Sequence, residues 1–481
     1  MMTAYSNVQL VLGAEYVLLE QAPTSGRADL PLFLPLQVRN TGNAQWRIYG
    51  GRPVLLSYHW YTPTGQIVEF DGRRTSLPVP LAPNEAVAVE LYVEPPPHAG
   101  DFVLEIDLVE EGVGWFSQRG VEPLRISLQI APEPEGPRAS IVSSLCLPTD
   151  AVGNTIVSQM RYLQALGYRT IIITEDVDQR HPAELRQYMA ALSLEDVLQN
   201  RYSARSRRAL KHLRESDIVI FHYAITYRLF EAIADLQRGV ILFDYHGVTP
   251  AHLWNITEQE RANLIASQRQ FKLLRHADYA IVHSSYIRDE LESYNVIPPE
   301  RILVLPLYAP LERFRPGPRS VELAERYGIG PDQPVLLYVG RISSNKRIDD
   351  VVRALALIRQ QRPNTMLLLV GDNRSEIYAR QAEDILRLAK ELGQSDHVIF
   401  TGQVDDDTLV KHYQFADLFV TASLHEGFCI PVIEAMASGL PVIGAHTTAL
   451  PETIGNAGLT FTPQDPADLA NTVLRVLETQ S

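Results

Sequence analysis

Hydrophobic positions follow two different rhythms along the chain, and the change between them falls near Ala131. Before it the period is two. Leu34, Leu36 and Val38 alternate with other residues, as do Phe102, Leu104, Ile106 and Leu108. Leu124, Ile126, Leu128 and Ile130 enclose Arg125, Ser127 and Gln129. Successive side chains of a strand point to opposite faces, so the alternation predicts strands with one buried face. Turn-forming clusters separate the runs: Asn40-Thr41-Gly42-Asn43, Pro63-Thr64-Gly65, Pro83-Asn84 and Pro95-Pro96-Pro97. Short strands with regular turns predict an all-β sandwich over residues 1–131. Two readings fit Trp46, Trp60 and Trp115: aromatics of a core or an interdomain surface, or a platform for carbohydrate.

Ala131 to Pro137 reads as a stiff, polar linker. After it the rhythm is that of alternating strands and helices. Ala139 to Leu145 is strand-like, Ile156, Met160, Leu163 and Leu166 are spaced for a helix that Gly167 ends, and Thr170 to Thr174 is the next strand. Apolar runs at Ile218–Phe221, Val240–Tyr245 and Tyr279–Val282 follow, and residues 138–315 are expected to form a doubly wound α/β domain. A second such domain is expected over residues 333–481, with strands at Val335–Val339, Met366–Val370, Val398–Thr401, Leu418–Ala422 and Val442–Gly444. Gly340, Gly371 and Gly402 directly follow three of these, where a tight turn or a close backbone approach is needed. Pro306 to Pro318 is the expected hinge.

The chain's 481 residues agree with two to four domains, and 46% hydrophobic with 21% charged residues is a globular balance. The net charge of −14 disfavours a nucleic-acid partner and leaves local basic patches as the place for anions. Cys146 and Cys429 are too few and too far apart for a disulfide framework or a cysteine metal cluster, which suits a reducing cytosol. The N-terminus lacks signal-peptide features and no apolar run reaches bilayer length, so a cytoplasmic location is expected. The absence of a GxGxxG fingerprint counts against a dehydrogenase. Arg201, Arg205, Arg207, Arg208, Lys211 and Arg214 form the one dense basic stretch. It reads either as a solvated helix face or as a peripheral contact with anionic lipid at the inner face of the plasma membrane.

The chemistry concentrates in Glu426-Gly427-Phe428-Cys429-Ile430-Pro431-Val432-Ile433-Glu434-Ala435-Met436-Ala437-Ser438-Gly439. The run Leu418 to Val420 feeds a polar loop holding Glu426, Pro431 is placed as a first helical residue, and Gly439 ends the helix. Glu434 is thereby expected in the first turn. Carboxylates accept hydroxyls and helix N–H groups face anions, so the string suits a ligand with both sugar and phosphate. Gly340-Arg341-Ile342-Ser343-Ser344-Asn345-Lys346-Arg347 follows the first strand of the second domain, and Arg341 with Lys346 can converge on a diphosphate. His246 follows a strand in Phe243-Asp244-Tyr245-His246-Gly247-Val248-Thr249-Pro250. His222 and His283 are similarly placed, yet no carboxylate or cysteine at a recognisable spacing completes a zinc site. Asp405-Asp406-Asp407 reads as a helix cap. Gly153, in Asp150-Ala151-Val152-Gly153-Asn154-Thr155, either approaches ligand oxygens or belongs to a plain turn capped by Asn154.

In these strings the chain resembles the retaining glycosyltransferases of family 4, whose signature is a Glu, seven residues and a second Glu. The resemblance covers roughly Ser140 to the C-terminus and implies the GT-B architecture, two Rossmann-like domains facing a cleft. It implies that Glu426, with Gly427, Phe428 and Cys429, meets the donor sugar and that Glu434 binds the ribose. Arg341, Lys346 and Gly153 are placed at the donor diphosphate, Val404 at the base, and His246 beside the reacting sugar carbon. The implied co-substrate is a UDP- or GDP-linked sugar, with no metal and no cofactor, and the implied acceptor is a glycan or lipid-linked molecule of a bacterial envelope or exopolysaccharide. Asn-Thr-Gly followed by Trp46 resembles immunoglobulin-like accessory domains. Such enzymes usually continue into a segment that crosses back to the first domain, whereas this chain stops at Ser481. Other readings are a silent carbohydrate-binding scaffold, a sugar phosphorylase and a nucleotide-sugar epimerase.

Leaving-group chemistry favours transfer from a nucleotide donor over hydrolysis. A glycosidase must protonate an alkoxide with a carboxylic acid. A nucleotide diphosphate departs readily and needs only fixed positive charge to receive it.

Overall fold

The computed structural model describes residues 11–148, 150–201, 206–253, 258–309 and 311–479. It divides into two compact units: Met1–Pro148, Met160–Ile218 and Asp235–Gly239 form unit 1, and Thr149–Gln159, Val219–Ala234 and Val240–Ser481 form unit 2.

Unit 1 begins with two sheets. Leu32–Asn40 lies between Ala14–Leu18 and Ala86–Val93, antiparallel to both, with Leu36 opposite Leu18 and Val89. The second sheet runs Ser25–Arg27, Leu124–Ala131, Gly100–Glu110, Val54–Tyr61, Ile67–Glu69, and its first pair is parallel. The alternating residues read from the sequence meet in one core, where Leu36, Val38, Leu56, Leu91, Leu104, Ile106 and Leu128 are buried together. Trp46, Trp60 and Trp115 are buried as well, so of their two readings the structural one holds. Trp60 donates its indole N–H to the Glu94 carbonyl at 2.8 Å, and Trp46 packs edge-on against Phe116.

The linker is pinned by its own charge: Glu133 takes Arg138 at 2.8 Å and Arg169 at 2.6 Å. Three parallel strands follow in unit 1, Arg138–Val142, Arg169–Thr174 and Met189–Ala191, with Ile141 opposite Ile172 and Ile172 opposite Met189. The first is shorter than its apolar run, which continues to Leu145. The basic stretch forms the helix Arg207–Glu215. Arg208 donates to the carbonyls of Asp29, Met189 and Gln187, and Arg214 pairs with Asp235 at 2.6 Å. Arg207 reaches Glu69 and Lys211 reaches Glu133. These four cations face acceptors of the protein itself, while Arg205 lies outside the described residues.

Unit 2 contains two groups of parallel strands. The first comprises the strand ending at Tyr223, then Val240–Tyr245, Tyr279–Val282 and Ile302–Val304, adjacent in that order. The second is a complete sheet in the order Val398–Gly402, Met366–Val370, Val335–Val339, Leu418–Thr421, Val442–Ala445, Leu459–Phe461. Numbered along the chain this is 3-2-1-4-5-6, the doubly wound order, and its direction of winding reverses between Val335–Val339 and Leu418–Thr421. Ligands of such sheets bind beyond the carboxyl ends of the strands at that reversal. The last strand, Leu459–Phe461, is too short to stand out as an apolar run. Among the described residues no helix is long and apolar enough to cross a membrane.

Candidate active site

The segments that leave the two strands at the reversal are those carrying the charged motifs. Val335–Val339 leads into Gly340–Lys346, and Leu418–Thr421 leads into the loop holding Glu426. They meet directly: Lys346 Nζ lies 2.6 Å from Glu426 Oε1, with the two side chains only 11% and 13% exposed. The backbone fixes this meeting, because Leu424 N–H donates to the Asn345 carbonyl at 2.9 Å. Burial raises the Glu426 pKa, but the Lys346 charge and hydrogen bond, with Ser423 and Arg341, bring it below the usual carboxylate value. Arg341 is exposed. Arg347 is turned to its own helix, with Nε and Nη2 each 2.8 Å from the Asp350 carboxylate.

Past Glu426 the chain enters the helix Ile430–Ala437 through Cys429, which takes the left-handed conformation with φ 76°. Pro431 therefore stands second in the helix and Glu434 fifth, each one residue later than the sequence pattern implies. Gly439, at φ 77°, closes the helix as expected: its N–H meets the Met436 carbonyl, and that of Leu440 meets Ala435. Thr453 Oγ1 donates to the Phe428 carbonyl at 2.6 Å, and Thr448 Oγ1 accepts the Glu426 N–H at 3.0 Å. Glu434 accepts the Tyr413 hydroxyl at 2.7 Å. Burial pushes its pKa up to about 7, against the Tyr413 hydrogen bond and with help from Asp406. Burial beside Glu426 also holds the Cys429 thiol protonated.

The loop after Val240–Tyr245 packs against this one. A Cβ on Gly427 would stand 2.4 Å from the His246 carbonyl oxygen, so the two backbones touch where only glycine fits. Thr249 Oγ1 also lies 3.4 Å from His425 Nδ1. The His246 backbone is thus brought against the loop that carries Glu426.

Behind His246 the three strand-end imidazoles gather as their positions imply. A carboxylate does complete the group, which the spacing argument denied. It is Asp244, two residues before His246 and on the same side of an extended chain. His283 Nε2 lies 2.8 Å from Asp244 Oδ1, and Gln159 Nε2 donates to Asp244 Oδ2 at 2.8 Å. Gln159 Oε1 meets His222 Nε2 at 2.8 Å, and His222 Nδ1 meets His246 Nε2 at 2.8 Å. Burial lowers the pKa of His222 and takes that of His246 to about 3, each opposed by the Asp244 charge. Asp244 is itself buried, yet the surrounding imidazoles hold it ionised. His222, Asp244 and His246 offer ligand atoms within 4.8 Å of one another, a spacing that could hold a metal ion. The observed 2.8 Å contact instead joins the two histidines as donor and acceptor.

Two further candidates lie on other elements. Gly153 lies inside the helix Ala151–Ala165 rather than in the turn before it, and Asn154 is helical rather than a cap. Val404, between Val398–Gly402 and Asp406–Phe415, packs against the second sheet's core. Asp405 caps the helix that follows, accepting the Thr408 N–H at 2.8 Å.

Comparison with known proteins identifies two segments of the chain. Residues 321–481 match the family of glycosyl transferases group 1, and residues 152–313 match glycosyltransferase family 4. The chain carries the domains of a family 4-type glycosyltransferase. A D-inositol 3-phosphate glycosyltransferase of Nocardia farcinica is 29% identical over 259 residues, covering 53% of this chain and 57% of that one. The protein of the same name in Mycolicibacterium smegmatis is 32% identical, over 43% of this chain and 47% of that one. This chain therefore spans about half the length of these curated relatives. The Escherichia coli serotype-specific mannosyltransferase WbdA is 34% identical over 160 residues, 33% of this chain and 19% of that one. Among solved structures, sucrose-phosphate synthase from Thermosynechococcus elongatus superposes with a TM-score of 0.57 at 22% identity, over 71% of this chain and 90% of that one. Anabaena HepE in complex with UDP-glucose gives 0.58 at 17% identity, over 71% and 90%. These similarities show the GT-B fold.

Proposed function

We propose that this chain transfers a sugar, with retention of anomeric configuration, from a UDP- or GDP-linked donor to a glycan or lipid-linked acceptor of a bacterial cell surface or exopolysaccharide. The observation that carries the reading is the 2.6 Å contact of Lys346 with Glu426 at the winding reversal, against the backbone of His246. A single cation there can hold the sugar-binding carboxylate and receive a leaving phosphate. In this reading Arg341 and Lys346 stabilise the diphosphate as the bond from the anomeric carbon to its oxygen breaks. Gly153 lies at the phosphates, and Glu426, Gly427, Phe428 and Cys429 line the sugar. Glu434 exchanges the Tyr413 hydroxyl for ribose, Val404 meets the base, and His246 stands at the sugar. The new bond forms from the acceptor oxygen on the face that the leaving group vacates, and the departing phosphate takes the acceptor's proton. The two N-terminal sheets form an immunoglobulin-like accessory domain.

The test is a panel of UDP- and GDP-sugars, scored by protection against melting and by release of nucleoside diphosphate. One donor should protect the protein and be turned over. Protection by none, or turnover that needs inorganic phosphate and no nucleotide, would overturn the assignment in favour of a scaffold or a phosphorylase.

A further inference from the structure

The polar cluster behind His246 has a determinate direction. The Gln159 amide NH2 donates to Asp244 Oδ2 at 2.8 Å. That orientation turns the Gln159 carbonyl oxygen to His222 Nε2, which must then carry a hydrogen. An imidazole that carries its hydrogen on Nε2 keeps a lone pair on Nδ1, which accepts from His246 Nε2 at 2.8 Å. Each partner has one role left by the partner before it, and the order starts from the Asp244 carboxyl.

We propose that Asp244, Gln159 and His222 are positioning residues that hold His246 as its Nε2–H tautomer, leaving Nδ1 as a hydrogen-bond acceptor for a hydroxyl of the donor sugar. This rests on the reading that His246 meets that sugar. The side chains of Asp244 and His222 are wholly buried and His246 retains 6% exposure, so the chain of partners ends on the ring nearest solvent. Burial keeps the order intact, because an unmatched donor or acceptor in this place has no water to turn to.

The direct test is the two-bond proton–nitrogen spectrum of the full chain labelled with nitrogen-15 histidine, with His246 assigned through H246Q. The expected pattern is that of an Nε2–H imidazole with a bare Nδ1. In H222F that preference is lost and kcat falls on the order of a hundredfold through misplacement of the ring, while KM for the donor and nucleotide binding stay near wild type. H222N, whose side-chain oxygen can stand where Nδ1 stood, should restore part of both. An Nδ1–H pattern in the unaltered chain would overturn the proposal. So would stoichiometric zinc bound through these nitrogens, or an H222F variant with unchanged tautomer and kcat. The unaltered chain's spectrum needs no variant to fold. Nucleotide binding by R341A and K346A tests the donor reading separately.

Discussion

Lys346→Met removes the cation from a carboxylate with little access to water, since Glu426 is 13% exposed and its contact with Lys346 is 2.6 Å. With Lys346 present, the Glu426 pKa lies below its ordinary value; without it, burial is the largest influence and raises it. Leaving one member of a buried pair unpaired costs about 3–5 kcal/mol. For unit 2, at about 2–4 °C for each kcal/mol, the transition should fall by roughly 6–20 °C. The sign with pH follows. In the unaltered chain the depressed pKa contributes stability above the unfolded carboxylate value, and this is lost as pH falls through the folded one. In the variant the raised pKa imposes a penalty at neutral pH that disappears as the carboxyl is protonated. The gap between the two proteins should therefore be widest near neutrality and narrow in acid. Scanning calorimetry of K346M, E426Q and the double variant across that range is the assay. The double variant should melt above K346M, because no buried charge is left alone. A K346M transition unchanged from wild type, a gap that does not narrow in acid, or a double variant no better than K346M would refute the reasoning.

Burial pushes the Glu434 pKa up to about 7, so hydroxyls that favour its ionised form should drive a proton out. Calorimetry of nucleotide binding in buffers of different ionisation enthalpy should show that release near pH 7, tightening of affinity as pH rises through about 7, and loss of both in E434Q. Gly427→Ala puts a Cβ 2.4 Å from the His246 carbonyl, so turnover should collapse and melting should register about 1–3 kcal/mol of strain. Wild-type turnover would contradict the packing of the two loops. Arg208→Ala strands three carbonyls in unit 1, and its melting temperature should fall by an amount equivalent to about 2–4 kcal/mol, as calorimetry would show.

The strands of the second sheet were legible because fully buried parallel strands are continuous apolar runs, as Leu418–Thr421 and Met366–Val370 are. The strand ends, together with the family resemblance, then singled out Arg341, Lys346, Glu426 and His246. What one-dimensional spacing could not show was which partners those groups take. Glu426 and Lys346 are eighty positions apart, and their contact depends on sheet order rather than on either motif. Asp244 carried a signal that went unused, since period two puts it on the His246 face. Gln159 carried none, as one of several polar residues on the helix Ala151–Ala165. The helix starts at Ala151 and Ile430 also moved Gly153 and Glu434 relative to expectation, because Cys429 enters its helix through a left-handed residue that no local preference announces.

In the proposed reaction Arg341 and Lys346 hold the diphosphate of a nucleotide-linked sugar at the winding reversal. Isothermal titration of the unaltered chain, R341A and K346A with the donor found by the panel tests it most directly, with nucleoside diphosphate release followed on the same samples. Binding and release by the unaltered chain, with both lost by at least about tenfold to a hundredfold in each variant, is the expected result. Donor affinity and turnover near wild type in both variants would show that the phosphates are held elsewhere.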